Sequence, residues 1–400
     1  MKNRFIIAFL FLTLVACRDK KEEMPPCADI AVDTSQLSSR WSQAIKDNIE
    51  PIVFEDKVLI VEPLSASGNG KSELYCFNDT TGELLWQKTL PAYLLGDEVQ
   101  ISGSKLYYTN GRSKTFRAFD LNTLEDNAVC TLNSEGYLAR HFALGEGYAI
   151  FLDNHYLLSI DSMDVSAYLV DLQNGVFRRT ITLRTKYSYN GEVIFDPTTE
   201  ITPDGDTLFC FMEFNLLNPS HEFVHRFVCQ NIVDTTISAT AYHQSFYASN
   251  KGNLILENGK AYFALDDSVF CLEALTATPI WKKRITQYFN DGIALKGGRL
   301  LVFHSNRFLD ALDPINGESR WQSRLNIGSV ESLKSSFFNN GRLYFIDNSQ
   351  LTSIDVETGC RLSNQSAPSG KNLLSDLAQS ADGKRVYVSD HYNLYAVSIK

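Results

Sequence analysis

The chain is 400 residues long and acidic, with 37 Lys and Arg against 47 Asp and Glu, a formal net charge of −10, 44% hydrophobic residues and eight cysteines. Acidity at this level favours solubility and repels phosphate backbones, and no basic stripe of the kind a nucleic acid needs is visible beyond the tether, so no nucleic-acid partner is expected. No stretch after the leader is apolar enough for the roughly 20 residues of a transmembrane helix.

Lys2 and Arg4 precede the almost wholly apolar run Phe5–Val15, and Ala16 stands before Cys17. A charged start, a short apolar run and a small residue at the cleavage point make 1–16 a signal peptide. Leu14-Val15-Ala16-Cys17 resembles the bacterial lipobox, which implies cleavage before Cys17 and a lipid, palmitate included, on that residue. Loss of Lys2 and Arg4 with the leader takes the net charge from −10 to −12. Residues 17–35 follow as a tether, in which Arg18 to Glu23 is too polar to bury apolar surface. Arg18 stands where an inner-membrane retention signal would carry aspartate, which points to the outer membrane. The periplasmic face and the cell surface both stay open, since the Glu22-Glu23 pair resembles a surface-display tether.

From residue 36 onward the chain repeats. A turn followed by a β-rich apolar run recurs at Lys57, Lys105, Gly147, Asp206, Lys260, Arg299, Arg342 and Lys384, at intervals of 48, 42, 59, 54, 39, 43 and 42 residues. Asn-Gly, Asp-Gly or Gly-Gly before a Val/Tyr/Phe run marks a hairpin. A second element follows each run: a small residue, one gap, Asp or Asn, three residues, Gly, three residues, Trp. Cys76, Asn78, Gly82 and Trp86 fill it, as do Ala311, Asp313, Gly317 and Trp321. Partial copies hold Ala118 and Asp120, Asp171 and Gly175, Cys271, Glu273 and Trp281, and Ser353, Asp355 and Gly359. The Asp/Asn and Gly suit a turn between antiparallel strands, and the Trp suits packing against a neighbouring unit. The copy at Cys229, Asn231, Thr235 and Ala239 has neither Gly nor Trp.

The last copy, from Ala396, stops before its Trp, whereas the sequence around Trp41 matches the outermost strand of a unit. The N-terminal strand therefore closes the final unit and protects its edge. This register resembles the PQQ-like (quinoprotein-type) β-propeller repeats over nearly all of residues 36–400, and the chain is similar to that family's lipid-anchored outer-membrane assembly propellers. The expected fold is all-β, one propeller of about eight four-stranded blades, with seven the alternative because the fourth copy is poorly marked.

Catalytic signatures do not survive their context. His221-Glu222-Phe223-Val224-His225 matches H-E-x-x-H, but the repeat puts it on a blade's third strand, where residues four apart stand about 13 Å from each other, too far to share zinc. The remaining histidines, His141, His155, His243, His304 and His391, are scattered among units. Quinoprotein dehydrogenases have an adjacent cysteine pair and a longer chain, and this one has neither. Asp161 and Asp164 lack the spacing of a calcium loop. With Cys17 lipidated, seven cysteines remain, so at least one thiol is free. Cys76, Cys229 and Cys271 hold the small position and read as buried apolar residues. Cys27, just before the closing strand, is open to a bridge with another exposed cysteine, and Cys360 follows Gly359.

The reading is a lipid-anchored envelope protein, non-catalytic and without a cofactor or metal, that binds an envelope protein or peptide through propeller faces and inter-blade loops and touches the membrane only through its anchor. The longer third and fourth units, with Tyr187, Tyr189, Phe195, Tyr242, Phe246 and Tyr247, are the expected recognition segments. The alternative is a surface enzyme or carbohydrate-binding accessory acting on an envelope or extracellular polymer.

Overall fold

The computed structural model describes residues 27, 30–45, 50–64, 70–94, 99–110, 113–131, 137–145, 147–157, 162–186, 195–202, 206–217, 222–232, 236–244, 254–265, 267–285, 289–304, 308–324, 336–370, 372–373, 377–390 and 392–399. Among them β1 (Ser39–Ala44) stands first, followed by blade 1: β2 (Pro51–Phe54), β3 (Lys57–Pro63), β4 (Ser72–Asn78) and β5 (Leu84–Leu90). Blade 2 is β6 (Val99–Ser102), β7 (Lys105–Asn110), β8 (Thr115–Asp120) and β9 (Asp126–Thr131). Blade 3 is β10 (Tyr137–Gly145), β11 (Tyr148–Leu157), β12 (Ser162–Asp171) and β13 (Phe177–Lys186); blade 4 is β14 (Phe195–Ile201), β15 (Thr207–Leu217), β16 (Glu222–Asn231) and β17 (Ile237–Gln244). Blade 5 is β18 (Ile255–Glu257), β19 (Lys260–Leu265), β20 (Ser268–Glu273) and β21 (Thr278–Arg284); blade 6 is β22 (Phe289–Lys296), β23 (Arg299–His304), β24 (Phe308–Leu312) and β25 (Ser319–Arg324). Blade 7 is β26 (Phe337–Asn339), β27 (Arg342–Asp347), β28 (Gln350–Asp355) and β29 (Arg361–Gln365); β30 (Ala378–Gln379), β31 (Arg385–Ser389) and β32 (Asn393–Ser398) begin blade 8.

Every sheet is a four-stranded antiparallel meander in chain order except the eighth, ordered β1-β32-β31-β30, in which the N-terminal strand supplies the outer position. Eight blades therefore form the propeller. The seven-blade alternative is corrected at blade 4, whose four strands are complete although its sequence copy is degenerate. The second strands read as continuous apolar runs because both faces of a blade are covered. Val58 to Val61 and Leu343 to Ile346 are all at most 4% exposed. The core accordingly lies in the seams between neighbours. Leu59, Leu74, Tyr108 and Phe119 join blades 1 and 2, and Tyr344, Leu351, Val386 and Val397 join blades 7 and 8.

The repeat motif builds one device per seam. Asx-type turns close the third and fourth strands: Asp120 Oδ1 accepts the amides of Asn122 and Thr123, and Asp355 Oδ1 those of Glu357 and Thr358. Asp171 does the same with Gln173 and Asn174, and Asp313 with Ile315. The Thr123 amide, then that of Asn122, holds the Asp120 carboxyl below its ordinary 3.8; Arg320 is the first cause at Asp313. The small residue of the third strand faces the outer-strand Trp directly: Cys76 opposite Trp86, Cys271 opposite Trp281, Ala311 opposite Trp321 and Ala396 opposite Trp41. A bulge one residue before each of these Trp positions turns the indole out of its own blade. It then enters the next one. Trp41, Trp281 and Trp321 donate Nε1–H to the carbonyls of Asp79, Pro314 and Val356 at 3.0, 3.1 and 2.7 Å.

Those three indoles lie against Gly82, Gly317 and Gly359 of the following turn, where an added Cβ would come within 2.6, 2.8 and 2.5 Å of the ring. In blade 2 the glycine position holds Leu124, at φ 61°, and Trp86 lies against Phe119 with ring centroids 5.8 Å apart. Gly317→Ala combines a left-handed φ of +73° with that overlap, whereas Gly298, at φ +70°, has nothing within 4 Å. Chemical denaturation is expected to show a loss of about 1–2 kcal/mol for Gly298→Ala and a clearly larger one for Gly317→Ala, with altered Trp281 fluorescence. Equal losses would show that the indole yields freely.

Candidate docking faces

Two faces of the ring are distinct. On one, first hairpins are tied to the turns between third and fourth strands. Asp79 N donates to Asp56 O, Leu121 N to Ser104 O, Ala274 N to Gly259 O and Val356 N to Gly341 O, all at 2.8–3.0 Å. Among the described residues, hollows lie on this turn face. One, of about 520 Å³, lies over blades 2, 3 and 4 and is lined by Ile101, Ser102, Leu144, Tyr148, Glu200 and Ile201. A second, of about 250 Å³, lies over blades 5 and 6 between Glu257, Lys260, Tyr262, Leu295, Pro314 and Ile315.

Neither hollow gathers reactive chemistry. The Glu200 carboxylate accepts the amides of Asn258 and Gly259, the latter at 2.9 Å, and so fastens blade 4 to blade 5. Burial pushes the Tyr148 and Tyr262 phenols up, and both stay protonated at ordinary pH. Among the described residues, no three His, Cys, Asp or Glu side chains are placed to hold a metal ion. What the hollows offer is exposed apolar surface: Ile315 is 70% and Ile201 47% exposed.

The opposite face is uneven. The second and third strands pair over five to seven residues in blades 1, 2, 5, 6, 7 and 8. In blade 3 they pair over ten, from Tyr148↔Asp171 to Leu157↔Ser162, and in blade 4 over ten, from Leu208↔Asn231 to Leu217↔Glu222. All the extra pairs lie away from the turn face. At about 3.4 Å per residue, two adjacent hairpins stand roughly 10–15 Å above the other six, backed by the equally extended β13 and β17.

These are the two units in which the sequence places recognition segments, with one difference. Part of their added length is ladder rather than loop. Phe195 opens β14 opposite Met212, and Tyr242 lies in β17 opposite His225; Tyr187, Tyr189, Phe246 and Tyr247 lie outside the described residues. Glu222 to His225 run extended in β16, and His221 lies outside the described residues. Cys17 and the leader also lie outside them. No helix among the described residues is long and apolar enough to cross a membrane.

The residues marked by the sequence do not converge on one site. Trp41 meets Gly82, Trp281 meets Gly317 and Trp321 meets Gly359, while Trp86, Asp120, Asp171, Asp313 and Asp355 serve their own turns and seams. Sequence reasoning missed the ion pair between Arg385 and Asp79 across the seam of blades 8 and 1, at 2.8 Å. The bridge open at Cys27 is formed with Cys360, and the expectation of an exposed partner is corrected: Cys360 is 2% exposed, tucked behind the turn of blade 7.

The family described as outer membrane protein assembly factor BamB matches residues 29–214 and 246–400. The unmatched stretch holds the whole of β16 and β17, the part of blade 4 without Gly, Trp or bulge. Similar solved structures include the computationally designed Ika8 protein, with a TM-score of 0.57 and 9% identity, covering 92% of this chain and 100% of its own. BamB from Moraxella catarrhalis gives 0.55 and 11%, covering 91% and 100%, and Sqt1 from Saccharomyces cerevisiae 0.54 and 11%, covering 93% and 100%. At such identities the likeness speaks for the fold alone. No curated protein sequence matches the chain.

Proposed function

Because this chain belongs to the BamB family of PQQ-like β-propellers, we propose that it is a non-catalytic scaffold of the cell envelope that docks a protein partner. Cys17 carries the lipid anchor, and the outer membrane is the site of attachment. The family's description as an outer membrane protein assembly factor supports a role in holding envelope proteins together. A rigid ring with locally extended hairpins is suited to that task, since the loops and rims of a stiff scaffold carry recognition at little cost to the core.

The observation that carries the reading is the pair of raised hairpins in blades 3 and 4. The test shortens both without disturbing register, joining Asp153 to Ser166 and Glu213 to Arg226, which face each other in the ladders, through Asn-Gly turns. Tagged full-length and shortened proteins are cross-linked in the envelope and recovered in detergent. A defined envelope protein is expected with the full-length chain, its recovery falling about tenfold or more with the shortened one. Recovery of the bait alone from both, with folding intact, overturns stable docking and favours a polymer-directed accessory or enzyme.

A further inference from the structure

We propose that Cys210 and Cys229 are joined by a second, buried disulfide that fastens the two central strands of blade 4. The residues are direct cross-strand partners on β15 and β16, so their side chains stand on the same face of the sheet. Directly opposed residues in an antiparallel ladder place their Cα atoms about 4.5–5.5 Å apart, within the span a disulfide bridges. The two Sγ atoms lie 2.6 Å apart, well inside the roughly 3.5–4.0 Å at which non-bonded heavy atoms settle. At 0% and 1% exposure they lie in one buried cluster with Leu208, Met212, Phe227 and Leu254. Cys76 and Cys271 instead face Trp86 and Trp281, and Cys130 faces Phe116.

The fold gives the bond a purpose. Blade 4 lacks the bulge that aims an indole into the next blade, and the following turn carries Ala277 at φ 54° where the seams of Trp41, Trp281 and Trp321 have glycine. A covalent link 19 residues long in sequence would hold the blade where the Trp–Gly device is missing. The Cys27–Cys360 bond already belongs to a compartment in which disulfides persist.

Formation needs an oxidant of the disulfide class, protein or small molecule. One protein thiolate attacks its S–S bond, forming a mixed disulfide and expelling one oxidant thiol; the second, after losing its proton, attacks the mixed disulfide at the protein sulfur and expels the other. Two protein thiols become one disulfide as the oxidant's disulfide becomes two thiols. Burial pushes the Cys210 thiol far up in the folded ring, so exchange precedes closure of blade 4 and the finished bond is shielded from reductant.

The test uses the full chain recovered from the envelope, quenched in acid, denatured without reductant in excess alkylating agent and mapped by mass spectrometry. The expected result is alkylation of Cys76, Cys130 and Cys271 and a linked peptide pair containing Cys210 and Cys229. Soluble reductant should leave that pair intact in the folded protein and open it in denaturant. Alkylated Cys210 and Cys229, or linkage of either to another cysteine, overturns the proposal whatever the state of Cys27 and Cys360. Because this readout is independent of partner capture, it can fail while the docking proposal stands, and the reverse.

Discussion

Replacing Arg385 with methionine is expected to destabilise the ring by about 3–5 kcal/mol, the usual consequence of leaving one member of a buried ion pair without the other. Arg385 lies on β31 at 6% exposure, and Asp79 lies just past β4 at 5%. The guanidinium places Nη2 at 2.8 Å from Asp79 Oδ2, and donates through Nη1 to Asp79 O and Thr80 Oγ1 at 3.1 and 3.0 Å. Trp41 donates to the same carbonyl at 3.0 Å, and the Tyr387 hydroxyl approaches it at 3.4 Å. Three side chains of blade 8 thus converge on one residue of blade 1. This is the seam at which the two ends of the chain close the circle. Methionine keeps most of the packing and removes the charge, so equilibrium denaturation reports the loss of the pair. Adding Asp79→Leu to Arg385→Met should recover a large part of the loss, because two apolar groups leave no buried charge behind. A single-variant cost below about 1 kcal/mol, of the size typical of exposed pairs, would show that the latch does not hold the ring.

That latch was within reach of the sequence, and the reason it was missed is instructive. The position Arg385 occupies is filled by Lys57, Lys105, Lys260 and Arg342 in other blades, opposite Asn78, Asp120, Glu273 and Asp355. In blade 8 the opposite residue is Ser398, and the cation turns instead to Asp79 of blade 1 at 2.8 Å, with Asp382 of its own blade at 3.5 Å. Anchoring the last copy on Lys384 rather than Arg385 hides the exception. The repeat, the Asx turns and the closing strand were legible because each lies within a short window of contiguous sequence. The coupling of a Trp to the next blade's Gly was not, since those residues belong to separate copies and the contact exists only once the bulge turns the indole outward. The facing of Cys210 and Cys229 likewise depends on the β15–β16 register, which periodicity does not number. The extra length of units 3 and 4 is visible in the repeat spacing, but that part of it continues the ladders is not, because spacing alone does not separate strand from loop.

Removing the Cys27–Cys360 bond, as the double variant Cys27→Ser/Cys360→Ser, is expected to lower stability by about 4 kcal/mol, towards the upper end of the range for disulfides that close long loops. The bond joins residues 333 apart, nearly the whole ring. It also fixes the path into the closing strand. Asp33 and Gln36 form parallel bridges to Ser363 and Ser366, Leu37 N donates to Ser366 O at 2.9 Å, and the Leu37 side chain enters the core between blades 7 and 8. Blade 7 has Ser363 at the Trp position, so this segment covers an outer strand that sends no indole forward. Without the bond, β1 keeps its pairing with β32, the Trp41 and Gln43 contacts with blade 1 and the bridges of residues 33–37 to blade 7. The loss should therefore be local before it is global. Amide exchange in β1 and β32 is expected to accelerate more than in blades 2 to 6, and the denaturation midpoint to fall with it. Unchanged exchange in β1 would mean that strand pairing and the latch alone keep the propeller shut. Faster exchange spread evenly around the ring would mean that the disulfide stabilises through the unfolded chain and not by holding the closing strand.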